Sequence, residues 1–337
     1  MSDENSWRLE TEHAVSLPQG DQALKYDQTI DRRLVHKSSI HEVFITDTRH
    51  VGADLFMAAA QLPRQHALYS DRARNSYDPL LIAEVCRQAA IVMAHQYFNV
   101  PMGWLLLADK VDMKVSTKDF LVVGRRPANV SVSVRVPHKL VKTDALVEAV
   151  LVYVVGLDDR VLAHVRAEMK GMPRSVYALM REINKSNKNI SNPFDSLDAE
   201  ELAPSSLGRY DRRNVVINDS FDDEGRIYPA RINRDHPGLF DHEVDHVSAV
   251  VLAEICRQAS FRHFTQGVPT RKQKRFADWE IVRFRMDFTD FAEFEAPIYC
   301  RVASVDMSEQ NKEVDVALEL VQGSATLGRA DILWACE

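Results

Sequence analysis

The sequence predicts an α+β fold built twice in tandem, each unit an antiparallel sheet wrapped around one long buried helix. Three observations predict it. The segment Leu81-Ile82-Ala83-Glu84-Val85-Cys86-Arg87-Gln88-Ala89 returns 170 positions later as Val251-Leu252-Ala253-Glu254-Ile255-Cys256-Arg257-Gln258-Ala259, the mark of a duplicated unit. Between Leu80 and Ala94 only Glu84, Arg87 and Gln88 are polar, so a helix there is apolar almost all round and must be enclosed by protein. Runs rich in β-branched residues follow each helix with no second helix between them. Consecutive hairpin-linked strands cannot make parallel crossovers, so the sheets should be antiparallel.

Residues 1–32 read as an N-terminal extension and 33–171 as the first unit. Asp78-Pro79 supplies an N-cap and a proline at the first helical position. After the helix, strands are predicted over Trp104 to Val115, Asn129 to Val136, Ala145 to Val155 and Val161 to Met169. Residues 172–213 read as a connector. Its start, Pro173 to Lys185, carries Val176, Leu179 and Ile183 at helical spacing, and its polar continuation reads as a crossing linker without function. The second unit, 214–337, repeats the plan with Ser248 as the helix cap and strands over Trp279 to Phe288, Pro297 to Val305, Val314 to Val321 and Ala325 to Ala335. A helix held in a curled antiparallel sheet is the hotdog arrangement, here a double hotdog. The two sheets are expected to join edge to edge, which would hide exposed strand edges.

Composition narrows the function. A chain of 337 residues, 45% hydrophobic and 27% charged, is an ordinary globular sequence. Its net charge of −7 gives no global field for a polyanion, so nucleic acid is not an expected partner. No run of about 18 apolar residues predicts a membrane span, and the N-terminus has no signal-like pattern; a cytoplasmic location is expected. Cys86, Cys256, Cys300 and Cys336 lack CxxC spacing, which fits reduced thiols and argues against structural zinc.

Glu84, Arg87 and Gln88 fall at i, i+3 and i+4 and share one helix face, and Glu254, Arg257 and Gln258 rebuild that stripe. Charges on an enclosed helix must be paired or open onto a wet cleft. Two readings stay open: a duplicated structural ion pair, or glutamates acting as general base or acid beside helix N–H groups that cradle an oxyanion. Arg64 and His66, echoed by Arg234 and His236, sit in the segments that lead into the helices. They are candidates for substrate binding, against the plainer reading of a solvated loop. Cys86 and Cys256 point away from the stripe into the core. Asp241-His242-Glu243-Val244-Asp245-His246 has a metal-like composition without a helix to fix its spacing, and His242 and His246 are kept as substrate-binding candidates. A seven-residue insertion in the second copy carries Arg271, Lys272, Lys274 and Arg275, either a solvated loop or a receiver for an acidic carrier or a phosphate.

Asp78-Pro79-Leu80-Leu81-Ile82-Ala83-Glu84-Val85-Cys86-Arg87-Gln88, preceded by Leu34-Val35-His36-Lys37 and Glu42-Val43-Phe44, resembles the AfsA family of γ-butyrolactone biosynthesis proteins. The duplicated layout resembles it too, from about Arg33 onward. The resemblance implies an acyltransferase that joins a 3-oxoacyl group from an acyl carrier protein or CoA thioester to the hydroxyl of dihydroxyacetone phosphate, towards a butyrolactone, butenolide or furan signal. It implies Glu84, Arg87, Glu254 and Arg257 as catalytic positions, no metal and no cofactor, and leaves a homodimer open. The alternatives are a hotdog thioesterase or dehydratase acting on acyl thioesters, or a non-catalytic acyl-ligand binder. The second helix start also resembles that of 3-hydroxyacyl dehydratases, with Ser248-Ala249 where Pro-Gly is usual. The extra cations of the second copy lead to the expectation that Glu254 and Arg257 lie nearer the phosphate.

Overall fold

The computed structural model describes residues 23–115, 122–158, 160–188, 200–220, 222, 224–266, 279–308 and 312–336. The basic insertion at 271–275 lies outside them. The chain divides into two compact units, Met1–Gln65 with Ser76–Arg174, and His66–Asn75 with Ser175–Glu337. The ten-residue segment just before the first helix therefore belongs to the second unit.

In the first unit β1 (Ile45–Gly52), β2 (Leu55–Leu62), β3 (Leu105–Val115), β4 (Ala128–Lys142), β5 (Ala145–Leu157) and β6 (Arg160–Met172) form an antiparallel run in the order β1-β2-β4-β5-β6-β3. Helix α1 (Pro79–Tyr97) packs on β1, β2, β3, β5 and β6. Along β4, Val130, Val132, Val134 and Val136 are buried while their neighbours are not, the period-two pattern of a sheet with one face on a core. Ile82, Val85, Ala89 and Val92 of α1 complete that core.

A second helix, α2 (Arg174–Asn187), falls within the predicted connector. The second unit then carries β7 (Ile227–Pro229), α3 (Ala249–Gln266), β8 (Trp279–Phe288), β9 (Tyr299–Met307), β10 (Glu313–Gln322) and β11 (Ala325–Cys336). Its strands run in the order β8-β11-β10-β9-β7, all antiparallel, and α3 packs on β9, β10 and β11.

The sequence pattern did not predict β1, β2 or β7. Leu55-Phe56-Met57-Ala58-Ala59-Ala60-Gln61-Leu62 has no alternation because five successive residues, Phe56 to Ala60, are all buried, and its alanines favour helix. The caps also differ. The Asp78 carboxylate accepts from Leu80 N at 2.9 Å, as expected, whereas the Ser248 hydroxyl is buried without a hydrogen-bond partner among the described residues. Only the Ser248 carbonyl, accepting from Val251 and Leu252, starts α3.

Candidate functional site

Each helix places its glutamate, arginine and glutamine on one face, and a second cation comes from the segment ahead of β1 or its counterpart. In the first unit a 3₁₀ turn at Arg32–Val35 ends on His36 in the left-handed region (φ 54°), and this bend delivers Lys37. Arg87 donates Nε to Glu84 Oε2 at 2.7 Å and Nη2 to Oε1 at 2.8 Å, a two-pronged pair. Lys37 Nζ lies 3.2 Å from Glu84 Oε1 and 3.8 Å from Glu42 Oε2. Gln88 Nε2 donates to Glu84 Oε1 at 2.8 Å and to the Glu42 carbonyl at 2.7 Å, and its Oε1 accepts from Phe44 N at 2.9 Å. Burial alone would raise the Glu84 carboxyl. The charges of Arg87 and Lys37 outweigh it and hold the group far below the usual carboxylate range.

The second unit repeats the device with substitutions. A 3₁₀ turn at Pro204–Leu207 ends on Gly208 in the left-handed region (φ 66°) and delivers Arg209. Arg209 Nη2 donates to Glu254 Oε1 at 2.7 Å, and its Nη1 reaches the carbonyls of Leu68 and Asp71, each at 2.8 Å. Arg257 Nη2 donates to Glu254 Oε2 at 2.5 Å. Gln258 Nε2 donates to Glu254 and to the Asn214 carbonyl, and its Oε1 accepts from Val216 N at 3.0 Å. Asn214 stands where the first unit has Glu42, and its Nδ2 donates to Asp71 Oδ2 at 2.7 Å. The Asp71 carboxylate also accepts from Tyr210 N at 2.9 Å and Asp211 N at 3.1 Å, which fixes the backbone just after Arg209.

Both clusters therefore set two cations against one buried glutamate. Access separates them: the Arg87 side chain is 37% exposed, that of Arg257 only 9%.

The other candidates lie elsewhere or are already committed. Gln88 and Gln258, also candidates for substrate binding, are engaged with backbone and glutamate and latch each helix to the preceding segment. His66 Nδ1 accepts from Leu68 N and Tyr69 N, and His236 Nδ1 from Gly238 N and Leu239 N. Both rings are buried and fold their own loops, so neither is a solvated loop histidine. Burial, then the Arg213 charge, lowers the His236 imidazole, and Asn214 Oδ1 takes its Nε2–H at 2.6 Å. Arg64 is exposed and donates to the Gly124 carbonyl, and Arg234 is exposed over the Phe294 ring. His242 lies 3.4 Å from Asp241 and His246 2.8 Å from Asp245; the His246 ring also meets the Tyr177 hydroxyl of α2. Cys86 is buried and burial pushes its thiol far up, away from nucleophilic use. None of the four cysteines is in a disulfide.

Lys37 and Arg209 were missed as site residues. They are equivalent at an offset of 172, two more than that of the helices, and no residue is identical between Val35-His36-Lys37 and Leu207-Gly208-Arg209.

The sequence pattern of the A-factor biosynthesis hotdog domain matches residues 19–173 and again 190–337. The chain belongs to this family. Relatives within the A-factor biosynthesis family include a protein of Streptomyces virginiae, 28% identical over 80% of this chain and 86% of its own length, and one of Streptomyces coelicolor, 27% identical over 74% and 78%. Each is named 2-oxo-3-(phosphooxy)propyl 3-oxoalkanoate synthase. A 12:0-ACP thioesterase of Umbellularia californica overlays on 86% of this chain and all of its own at 11% identity and a TM-score of 0.48, a likeness too loose to bear on activity. The family's double hotdog is the fold seen here: two tandem units, each with an antiparallel sheet and one long buried helix. Among the described residues no helix is long and apolar enough to cross a membrane.

Proposed function

We propose that this chain transfers a 3-oxoacyl group from a carrier-protein or CoA thioester to dihydroxyacetone phosphate, with the reaction meeting the α1 stripe. The observation that carries the reading is the partly open Arg87 guanidinium, clamped by a buried Glu84, in a chain whose family relatives are named for the phosphooxy-propyl ester product. A guanidinium fixed in orientation recognises phosphate through its fork of N–H donors. The hydroxyl oxygen attacks the thioester carbonyl, the C–O bond forms, the C–S bond breaks, and the hydroxyl proton ends on the departing thiol. Glu84 anchors Arg87 rather than taking that proton, because a carboxylate stabilised so strongly in its charged form is a weak base at neutral pH. The enclosed Glu254 cluster is structural on this reading. On this reading Arg87 is nearer the phosphate than Arg257, contrary to the expectation drawn from His242, His246 and the basic insertion.

An acyl carrier protein is the proposed physiological donor, on the family resemblance. Incubation with a 3-oxoacyl thioester and dihydroxyacetone phosphate, read by mass spectrometry, should yield the phosphooxy ester only when both are present. Thioester loss that does not depend on dihydroxyacetone phosphate would establish a thioesterase instead, and binding without turnover of either would establish an acyl-ligand binder.

A further inference from the structure

Transfer needs an acceptor for the hydroxyl proton, and Glu84, held in its charged form by Arg87 and Lys37, is poorly suited to it. A second carboxylate stands beside it. Glu42 closes a 3₁₀ turn, Ile40–Glu42, whose cap Ser39 accepts from His41 N at 3.3 Å. Gln88, one turn after Glu84 on α1, pins the backbone on both sides of Val43: its Nε2 donates to the Glu42 carbonyl at 2.7 Å and its Oε1 accepts from Phe44 N at 2.9 Å. This latch brings the Glu42 side chain to the stripe, with Oε2 3.8 Å from Lys37 Nζ. From Arg87 Nη2 through Glu84 Oε1 and Lys37 Nζ to Glu42 Oε2 the steps are 2.8, 3.2 and 3.8 Å. A three-carbon phosphate, hydrogen-bonded at both ends, spans that gap.

The second unit is a control within the same chain. Its matching 3₁₀ turn, Arg212–Asn214, lies at the offset of 172 that also relates Lys37 to Arg209, and Gln258 pins it in the same way. There the side chain is an amide, spent on the fold: Nδ2 donates to the Ala67 carbonyl at 2.8 Å and to Asp71 Oδ2 at 2.7 Å, and Oδ1 meets His236 Nε2 at 2.6 Å. The latch therefore does not require a carboxylate at this position, since its bonds use backbone atoms of the turn. The cation does not require one either, because Glu254 and two carbonyls hold Arg209. A carboxylate occurs here in the stripe whose Arg87 is open to solvent and not in the one whose Arg257 is enclosed.

We propose that Glu42 is the general base of the transfer, a role that rests on the acyl-transfer reading of the same stripe. Its carboxylate takes the proton of the dihydroxyacetone phosphate hydroxyl as that oxygen forms the C–O bond to the thioester carbonyl carbon. When the tetrahedral intermediate collapses and the C–S bond breaks, protonated Glu42 gives the proton to the departing sulfur. Glu42 ends as it began, and the products are ester and thiol. Glu84 and Lys37 keep a different task, the orientation of Arg87.

Steady-state kinetics of the full chain carrying Glu42→Gln, with a 3-oxoacyl CoA thioester and dihydroxyacetone phosphate, test this. The kcat should fall on the order of a hundredfold or more, with KM for dihydroxyacetone phosphate within about twofold of wild type and melting unchanged. The acidic limb of the kcat–pH profile should disappear with it. If that variant folds poorly, Glu42→Asp and Glu42→Asn replace it: equal in length, they differ in the carboxylate, and the aspartate should be at least about tenfold more active. A fall in kcat of less than about threefold, a rise in KM with kcat intact, or equal activity of the Asp and Asn variants would overturn the base role and leave Glu42 a brace for Lys37. In each of those outcomes wild-type transfer stands. Wild-type protein that makes no phosphooxy ester would instead overturn the transfer reading, and the base with it.

Discussion

The two helix stripes use one motif for two degrees of enclosure. In both, a glutamate gathers an arginine three residues on, a glutamine four residues on, and a cation from a 3₁₀ turn far upstream. The first cluster draws all its charged members from its own unit and leaves Arg87 partly in solvent. The second has arginine at 209 in place of lysine and asparagine at 214 in place of glutamate, and is closed. Arginine suits the closed version because five donors in a planar fork can satisfy Glu254 and two carbonyls at once, where an ammonium could not reach all three. The same glutamate between two cations thus occurs at two levels of solvent access.

The largest effect should come from removing the buried counter-charge of the closed cluster. Glu254→Gln leaves Arg209 and Arg257 enclosed without their carboxylate, a change expected to cost about 3–5 kcal/mol and to lower the melting temperature by roughly 10 °C or more. Differential scanning calorimetry reads it directly. A melting point within a degree or two of wild type would mean the second cluster is not a support.

Glu84→Gln should be milder in stability, since Arg87 can rehydrate, yet it should lower kcat/KM on the order of a hundredfold by releasing the guanidinium. The shape of the pH–rate profile should not change. If the variant instead loses the acidic limb of that profile, Glu84 is the general base after all. Arg87→Met sharpens the contrast further: KM for dihydroxyacetone phosphate should rise tenfold or more with little change in melting, while Arg257→Met should lower melting first. Steady-state kinetics beside thermal melts would expose the opposite pattern, which would move the phosphate to the second stripe.

Acid should dissect the same clusters in two stages. His236 is lowered by burial, so below about pH 6.5 the unfolded chain binds more protons than the folded one; its stabilisation is full above that value and drains as pH falls. His246, lowered by burial as well, acts in the same window and the same direction. Glu84, held low by Arg87 and Lys37 against its burial, contributes fully above about pH 4.5 and loses that contribution only below it. Melting curves from pH 7.5 to 3.5 should show both declines, and His236→Gln should flatten the first alone. An unchanged first decline in that variant would remove His236 from the account.

The smallest expected effect is at the bend itself. His36→Gly copies Gly208 and relieves a left-handed residue at a gain of about 1 kcal/mol, but it forfeits the 2.8 Å contact between His36 Nε2 and His95 Nε2. The two terms should nearly cancel. A loss well above 1 kcal/mol in urea denaturation would show that the histidine pair, not the backbone bend, holds Lys37 in place.

Much of this was legible because duplication prints its signal twice. The helices were readable from Glu84-Val85-Cys86-Arg87-Gln88 and its copy, and the later strands from β-branched runs such as Ala145 to Val155. Ala58-Ala59-Ala60 hid β2, since alanine carries no strand preference and full burial erases alternation. Arg209 was hidden for a different reason. The distance from bend to helix shortened by two residues in the second copy, so the offset that finds Arg257 steps past Arg209, and a site assembled from residues 45 positions apart leaves no local pattern. The base role suggested for the glutamates came from their place on an enclosed helix beside an arginine. How many cations surround a carboxylate is a property of the folded chain.

The placement of His66–Asn75 also bears on the order in which this protein can be made. The segment precedes α1 and leaves the ribosome early, but Arg209, whose guanidinium takes the Leu68 carbonyl, is 141 residues further on. At ordinary elongation rates of about 5–20 residues per second that is a wait of roughly 7–30 s. Throughout it the first helix can fold while the carbonyls of Leu68 and Asp71 still lack the Arg209 guanidinium. Synthesis therefore leaves the amino-terminal half provisional, and a nascent chain stalled before Arg209 should remain open to proteolysis at Ala67 to Arg74.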